Sequence, residues 1–261
     1  NDLVQILNAA KQLEVPVTLI GGGTNLLVTD NGIRGLVVVT RKLRSEITLT
    51  WNAYGNGIVQ VDAGHLLSTL CRFAVFYSLS GLEFAAGIPG TVGGAVAMNA
   101  GTPSGQMSDT IQRLFMWNPD RQHIDSLHQA DLDFTYRSLN TPGVIVAAEL
   151  KLAKGDRNTI EQLSRQTIER KNATQPVSSV SAGCFFKNPP TGPSAGELIE
   201  KAGLKGSRIN DAMVSLQHAN YIVNTGAATC RDILALKQQI QKTVSEKFHI
   251  NLETEVRIEG E

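Results

Sequence analysis

The chain has 261 residues, of which 42% are hydrophobic, so it can bury a sizeable core and form two or three compact units. Its 24 Lys and Arg side chains balance 24 Asp and Glu side chains, which excludes an overall field that would attract nucleic acid or an anionic membrane. The longest apolar runs are far shorter than the roughly 20 residues that span a bilayer. Three dispersed cysteines, together with the lack of a signal-peptide pattern at the start, predict a cytoplasmic protein.

The first 80 residues predict alternating helices and strands. Apolar residues at helical spacing, with Asp2 available as a cap and Pro16 as a stop, predict an opening amphipathic helix. A glycine loop at 21–25 then separates two short apolar runs that are typical of strands. Strands are predicted at 17–20, 26–28, 35–40 and 58–61, and a half-buried helix is predicted at 66–77.

The middle of the chain changes character twice. Residues 81–101 are so rich in Gly and Ala that we expect neither an ordinary helix nor an ordinary strand there. Strands are then predicted at 111–117, 122–127 and 144–152, with a turn at 118–120. Beyond residue 155 the sequence becomes polar and helical, which indicates a domain boundary.

The final hundred residues predict three helices and a terminal strand. The helices are expected at 157–172, 195–202 and 231–248. Thr229 and Asp232 form a variant of the capping box at the start of the third helix. Residues 252–259 alternate apolar with charged side chains, which is the pattern of a strand with one buried face.

Two glycine-rich segments suit a flat, phosphate-bearing ligand. In Gly21-Gly22-Gly23-Thr24-Asn25, consecutive glycines let backbone N–H groups approach phosphate oxygens, as a dinucleotide pyrophosphate requires. The loop matches neither GxGxxG before a long helix nor GxxxxGK[ST]. In residues 87–101, small residues would let the main chain lie against a flat ring system. Tight packing between core elements explains either segment equally well when it is taken alone.

Taken together, the motifs of the chain resemble those of UDP-N-acetylenolpyruvoylglucosamine reductases. They occur in the family's order, at plausible spacing and over essentially the whole chain, which is far more specific than any one motif. The motifs are GGGTNLL (21–27), GIPGTVGGAVAMNAG (87–101), TYRS (135–138), SAGCFFKNP (181–189), SAGELIEKAGLKG (194–206), HANYIVN (218–224) and LETEVRIEG (252–260).

The resemblance implies an α/β (α+β) fold, in which an FAD-binding domain of the vanillyl-alcohol-oxidase type precedes a smaller α+β substrate domain. We expect the FAD-binding domain, with two α/β lobes, at 1–155, the substrate domain at 156–250, and a strand at 251–261 that returns to the flavin site. Little chain separates TYRS from the polar helix, as in the short, type II members.

The sequence departs from the family pattern in two places. Family members carry some tens of residues before the first helix, including a strand that borders the flavin, and we expect this segment to be missing here. Thr102-Pro103-Ser104-Gly105 replaces the usual Ala-Tyr-Gly-like turn, so this loop is expected to hold its ligand differently.

The implied reaction has two halves. NADPH reduces the flavin, which gives a hydride to C3 of an enolpyruvyl ether, and a proton then reaches C2. Because hydride addition puts negative charge on the substrate carboxylate, donors are needed there. By resemblance, Arg137 holds this carboxylate in bidentate fashion, and Glu255 assists through a carboxyl whose pKa burial could raise. Cys184 stands where most members have a proton-donating Ser, and a thiol can donate readily.

The resemblance also implies the ligands and the residues that bind them. UDP-N-acetylglucosamine enolpyruvate is the expected substrate and NADPH the co-substrate. Lys187 and Asn188 are expected to hold the UDP part, and Tyr136 is expected to line the same pocket. FAD is expected to be noncovalent, because its segment contains no His or Cys to serve as a tether. The residues expected to contact FAD are Gly21, Gly22, Gly23, Thr24, Asn25, Gly87, Ile88, Pro89, Gly90, Thr91, Gly93, Gly94, Ala95, Asn99, Gly101 and Arg257.

Two other functions stay open on the sequence alone. An FAD-dependent oxidase of the same fold would share the glycine segments, because fold does not set the substrate. A non-catalytic protein that binds nucleotide sugars would retain the UDP-binding residues but has no need of a proton donor. Histidine and carboxylate spacing predicts no catalytic metal, and we expect a monomer that serves peptidoglycan synthesis.

Overall fold

Six α-helices lie along residues 2–261, the part of the chain that the computed structural model describes. The helices are α1 (Asp2–Gln12), α2 (Leu67–Phe76), α3 (Val92–Ala97), α4 (Arg157–Thr174), α5 (Ala195–Lys201) and α6 (Cys230–Phe248). The strands up to residue 106 are β1 (Val17–Ile20), β2 (Leu26–Val28), β3 (Leu36–Val39), β4 (Thr48–Trp51), β5 (Gly57–Asp62), β6 (Leu79–Ser80), β7 (Gly101–Thr102) and β8 (Gly105–Gln106). Those that follow are β9 (Ile111–Asn118), β10 (His123–His128), β11 (Asp133–Thr135), β12 (Ser138–Asn140), β13 (Val144–Lys154), β14 (Val180–Ser181), β15 (Arg208–Ile209), β16 (Ala212–Val214), β17 (Ile222–Asn224) and β18 (Arg257–Glu259).

Packing divides the chain into two units. The first unit comprises the residues up to Gly22 and the range Gly35–Glu169, and the second comprises Gly23–Arg34 and Arg170–Glu261. The division falls inside the glycine loop, so that β1 belongs to the first unit and β2 to the second.

An antiparallel sheet with strand order β10-β9-β13-β5-β4 forms the centre of the first unit. Period-two alternation in β5 buries Val59 and Val61 completely or nearly so. Helix α2 buries Leu67 and Leu70 in the same hydrophobic core, at the spacing of one helical face. Strands β1 and β3 form a separate parallel pair.

The second unit combines a small antiparallel sheet, β14-β17-β16-β15, with helices α5 and α6. Helix α6 buries Leu236, Ile240 and Val244, which lie four residues apart and therefore share one face. Thr229 accepts a hydrogen bond from the backbone N–H of Asp232, and the Asp232 carboxylate accepts one in return, so the predicted capping box is confirmed. Strand β18 runs parallel to β2.

Most predicted elements are confirmed to within a few residues. Three predictions need correction, and ten of the eighteen strands in the described residues, β4 among them, were not predicted. Residues 81–101 contain the short helix α3, because Thr91 caps it and its small residues allow close packing. Asp2 lies inside α1 rather than before it. The terminal strand is only β18, because Thr254 bridges to Phe186 whereas Arg257 pairs with β2, so one ladder does not continue along 252–259.

Candidate active site

The first unit brings together the ends of the two glycine-rich segments. A Cβ atom on Gly21 would lie 2.4 Å from Oγ1 of Thr91, so only glycine permits this approach. Thr91 is 1% exposed and accepts a hydrogen bond from the Gly94 N–H at 3.3 Å, at the start of α3. The main chain at Gly21 therefore lies directly against the beginning of α3, as a backbone cradle for a flat or phosphate-bearing ligand requires.

Other small residues of the second segment serve packing. A Cβ on Gly93 would lie 2.7 Å from the Cβ of Ala63, and the Gly93 N–H donates to the Ala63 carbonyl at 2.9 Å. Gly101 faces Gln106 in the β7–β8 hairpin, where a Cβ would lie 2.6 Å from that side chain. Ala95 is buried in α3. Upstream, Gly87, Ile88, Pro89 and Gly90 lead into the cap of α3; the Gly90 carbonyl accepts a hydrogen bond from the Leu67 N–H.

Asn99 holds the loops of the first unit together. It is 1% exposed and adopts a left-handed conformation with φ of 39°. Its Nδ2 donates to the Thr135 carbonyl at 3.1 Å and to Gln106 Oε1 at 3.3 Å, while its Oδ1 accepts from the Ser108 N–H at 3.0 Å. These bonds use both ends of the amide, so Asn99 supports the β11–β12 hairpin at Thr135, the last residue before its turn.

Arg137 lies at the tip of that hairpin. Strands β11 and β12 pair Thr135 with Ser138, which leaves Tyr136 and Arg137 as a two-residue turn. Arg137 has a φ of 59°, and its Cζ lies 5.0 Å from the centre of the Tyr136 ring. Arg137 is half-buried and Tyr136 is 47% exposed. The guanidinium is thus presented from a turn that is fixed at its base by Asn99.

In the second unit, the segment that contains Cys184 runs antiparallel to the segment that contains Glu255. The Glu255 N–H donates to the Phe185 carbonyl, and the Lys187 N–H donates to the Glu253 carbonyl, each at 2.8 Å. Phe186 and Thr254 form the bridge between these bonds. Two residues that the sequence places 71 positions apart, Cys184 and Glu255, thereby belong to the same paired stretch of backbone.

Asn220 fixes this paired stretch from the other side. Its Oδ1 accepts from the Phe186 N–H at 2.9 Å, and its Nδ2 donates to the Phe186 carbonyl at 2.8 Å. Its own carbonyl accepts from the Phe185 N–H at 2.8 Å. Because Asn220 is 3% exposed, water does not compete for these bonds, and the backbone next to Cys184 is held rigidly.

Two polar side chains, those of Tyr221 and Lys171, interact with the side chain of Cys184. The Tyr221 hydroxyl is hydrogen-bonded to the Cys184 side chain and also donates to Oε1 of Gln175 at 2.8 Å. Burial raises the pKa of Tyr221, and the negative charges of a Cys184 thiolate and of Glu255 raise this pKa further. Burial lowers the pKa of Lys171, at the end of α4, whereas a charged Cys184 would raise it.

The second half of the glycine loop lies beside the Glu255 segment within the second unit. Asn25 donates from Nδ2 to the Glu255 carbonyl at 3.1 Å, and the Arg257 N–H donates to the Asn25 carbonyl at 3.1 Å. A Cβ on Gly183 would lie 3.8 Å from the Thr24 carbonyl oxygen. The guanidinium of Arg257 contacts Glu259 on the same strand. Predicted cofactor residues and predicted catalytic residues are therefore neighbours here.

The residues predicted to hold the UDP part differ in their surroundings. Lys187 lies with its ammonium 3.6 Å from the Glu253 carboxylate, and its side chain is about one-third exposed. Asn188 is exposed, and its Oδ1 accepts a hydrogen bond from the Ala195 N–H at the start of α5. The partly exposed ammonium of Lys187 can thus bind an anionic group of a ligand. Asn188 also caps the start of α5 through its hydrogen bond from Ala195.

Three residues near the thiol, Lys171, Gln175 and Tyr221, were not predicted as site residues. Tyr221 and Asn220 belong to the HANYIVN motif, which was the available signal for them. Gln175 and Lys171 lie at the end of a polar helix, where no pattern distinguishes them from solvent-facing residues. Among the described residues, no group of three or more His, Cys, Asp or Glu could hold a metal ion, and no helix is long and apolar enough to cross a membrane.

The geometry is compatible with a dinucleotide cofactor, because the bare backbone of Gly21 packs on Thr91 and so brings the two glycine-rich segments together at the start of α3. Residues 1–125 match the family model described as FAD binding domain. The chain is accordingly an FAD-binding flavoprotein. Residues 175–259 match a second model, described as UDP-N-acetylenolpyruvoylglucosamine reductase, C-terminal domain.

Individual relatives agree with both family models. The chain is 41% identical to a UDP-N-acetylenolpyruvoylglucosamine reductase of Desulfosudis oleivorans, over 100% of this chain and 86% of that protein. It is 42% identical to a reductase of the same name from Anaeromyxobacter, over 99% and 77%. The crystal structure of the Thermus caldophilus reductase superposes with a TM-score of 0.81 at 36% identity, covering 98% of this chain and 89% of that one.

The chain therefore belongs to the UDP-N-acetylenolpyruvoylglucosamine reductase family. The resemblance, the fold class, the FAD cofactor and the oxidoreductase class predicted from the sequence are confirmed.

Proposed function

We propose that the chain catalyses the NADPH-dependent, FAD-mediated reduction of UDP-N-acetylglucosamine enolpyruvate to UDP-N-acetylmuramate, a step in the synthesis of peptidoglycan precursors. The observation that carries this proposal is the pairing of the Cys184 and Glu255 segments, which puts a thiol and a carboxylate on one rigid stretch of backbone. The names of relatives that are about 40% identical over nearly the full chain support the same reaction.

Arg137 stabilises the charge that develops during the reaction. FAD, when bound, supplies the hydride that adds to C3 of the enolpyruvyl ether. Negative charge then spreads onto the substrate carboxylate, and a guanidinium can receive it through two parallel hydrogen bonds. The position of Arg137 at a tight turn, with Asn99 holding the strand before it, limits its reorganisation. A preorganised donor of this kind lowers the barrier more than a mobile one.

Cys184 and Glu255 act at the proton-transfer step. The S–H bond of Cys184 breaks as the C2–H bond of the product forms, and the sulfur keeps the electron pair. Glu255, when protonated, donates a hydrogen bond that assists the charge developing on the substrate. The thiol is suited to this transfer because its reference pKa lies near 8.5, far below that of an alcohol.

The steady-state assay that tests the proposal follows NADPH oxidation with and without UDP-N-acetylglucosamine enolpyruvate. We expect oxidation that depends on this substrate and yields UDP-N-acetylmuramate in equal amount. Oxidation that consumes oxygen and ignores the substrate would instead indicate an oxidase of the same fold. A protein that binds the UDP-sugar but oxidises no NADPH would be a binding protein.

Replacing Lys187 with alanine should weaken binding of the UDP-sugar more than it slows turnover. A charge-assisted hydrogen bond to a diphosphate contributes about 1.5–3 kcal/mol, so we expect KM to rise roughly ten- to a hundredfold with kcat within about threefold of the parent value. Lys201→Ala is the matched control, because Lys201 is exposed on α5 and paired with Glu197. A large fall in kcat with unchanged KM would contradict this assignment.

Acid denaturation should release the flavin. We expect yellow colour, with the absorption spectrum of free FAD, in the supernatant after precipitation, because residues 87–101 contain no His or Cys that could form a covalent link. Colour that stays on the washed pellet would overturn the expectation of a noncovalent cofactor.

We also propose that the protein works as a cytoplasmic monomer, with cofactor binding centred on residues 1–155 and substrate binding on 156–250. A compartment that supplies NADPH and keeps Cys71, Cys184 and Cys230 reduced suits this chemistry, and none of the three forms a disulfide in the described chain. Cell fractionation tests the compartment, and light scattering of the holoenzyme tests the oligomeric state; a stable dimer would contradict the second part.

A further inference from the structure

The Tyr221 hydroxyl is hydrogen-bonded to two side chains, those of Gln175 and Cys184. The residue is 7% exposed, its hydroxyl donates to Gln175 Oε1 at 2.8 Å, and it shares a hydrogen bond with the Cys184 side chain. Because its one proton is directed to Gln175, the oxygen is left to accept the S–H of Cys184. The two hydrogen bonds form a short chain from the thiol through Tyr221 to Gln175.

Surrounding contacts keep this hydroxyl in place. The Tyr221 ring meets the edge of His218, with centroids 5.1 Å apart, and the Tyr221 N–H donates to the His218 carbonyl at 3.0 Å. Its neighbour Asn220 brackets Phe186 with two side-chain hydrogen bonds, beside Cys184. The same rigid framework thus holds Tyr221 and Cys184. To exchange one hydrogen-bond partner for the other, only the O–H group of Tyr221 needs to rotate about its C–O bond.

We propose that Tyr221 is a positioning residue for the thiol of Cys184, whose hydroxyl accepts the S–H before proton transfer and rotates to donate to the thiolate afterwards. This inference rests on the proposed role of Cys184 as proton donor. Tyr221 keeps its own proton throughout. The S–H bond breaks, the C2–H bond forms, and the sulfur regains a proton from solvent once the product has left.

The charge beside the thiol explains why a neutral hydroxyl is needed. Lys171, from α4, favours a thiolate at Cys184 both before and after proton transfer. Burial raises the pKa of Tyr221, so the hydroxyl stays protonated and can serve as acceptor or donor by rotation alone. Oε1 of Gln175 accepts the hydrogen bond from the hydroxyl whenever the sulfur does not.

The test measures the pH dependence of Cys184 alkylation by iodoacetamide in the FAD-loaded enzyme, with Cys184 resolved from Cys71 and Cys230 by peptide mass spectrometry. Tyr221→Phe removes the donor to the thiolate, so the alkylation midpoint should rise by about one pH unit, the tenfold effect of one charge-assisted hydrogen bond. Gln175→Leu leaves the hydroxyl no other acceptor, so the midpoint should fall. Tyr54→Phe, at an 89% exposed site, should change nothing.

Opposite shifts in Tyr221→Phe and Gln175→Leu support the inference, because loosened packing would move both midpoints in the same direction. Equal shifts, or none, overturn it. In stopped-flow experiments Tyr221→Phe should slow flavin reoxidation by the substrate about tenfold, and should add nothing in a Cys184→Ala background. An equal slowing in that background would show that Tyr221 does not act through the thiol. If Cys184→Ala alone leaves reoxidation unchanged, the donor role of Cys184 fails, whereas opposite alkylation shifts still support the pairing.

Discussion

Arg137→Ala should lower kcat by about 100- to 1,000-fold while changing the affinity for the UDP-sugar by less than about fivefold. The loss is large because removing one preorganised donor from a developing oxyanion costs about 2.7–4 kcal/mol. The affinity changes little because this charge appears only after hydride addition. Turnover under saturating substrate and direct binding of UDP-N-acetylglucosamine enolpyruvate to the oxidised enzyme measure the two quantities separately.

Three companion variants sharpen this expectation. Arg137→Lys keeps the charge but loses the bidentate geometry, so it should recover only part of the activity. Arg121→Ala removes an exposed arginine that pairs with Asp125 and should behave as the parent does. Glu255→Gln should also reduce kcat more than affinity. If Arg137→Ala weakened binding as much as it slowed turnover, Arg137 would be a substrate-recognition residue and the proposed division of roles would be wrong.

The sequence was sufficient for most of the fold because local patterns decided it. Strand β1 was predicted with its observed bounds from four apolar residues before a glycine loop, and the capping box at Thr229 fixed the start of α6. The end of the chain shows the limit of such patterns. Leu252 and Val256 are buried as the alternation predicts, but Ile258 is exposed. The backbone changes partner between Phe186 and Leu26, and hydrogen-bond partners do not appear in periodicity.

The candidate site likewise contains residues that sequence motifs could identify and contacts that only the coordinates show. Arg137, Cys184 and Glu255 were chosen from motifs, and the pairing of the last two segments agrees with that choice. The three hydrogen bonds of the Asn99 amide to other protein groups could be seen only in the coordinates. No sequence pattern marks Gln175 as a site residue, because its link to the site is one hydrogen bond from a tyrosine 46 positions away.

Cys184→Ala should slow the second half-reaction by about 100- to 10,000-fold, the usual contribution of a positioned general acid. Reduction of the flavin by NADPH should keep its parent rate, because no proton is delivered to the UDP-sugar in that half-reaction.

Cys184→Ser should retain substantial activity, since a hydroxyl can occupy a similar place. Peroxide or iodoacetamide should inactivate the parent enzyme and spare the Ser variant. Cys71 and Cys230 should react slowly with either reagent, because both are buried, and their modification in the Ser variant gives the background level.

Anaerobic stopped-flow absorbance of the flavin in Cys184→Ala tests the account most directly. The pre-reduced holoenzyme is mixed with UDP-N-acetylglucosamine enolpyruvate, and flavin reoxidation is followed together with the yield of UDP-N-acetylmuramate. The account expects fast reduction by NADPH, then reoxidation that stalls or becomes reversible, with little product. Parent-like reoxidation and full product yield in this variant would contradict it and leave Cys184 as a structural thiol beside Tyr221.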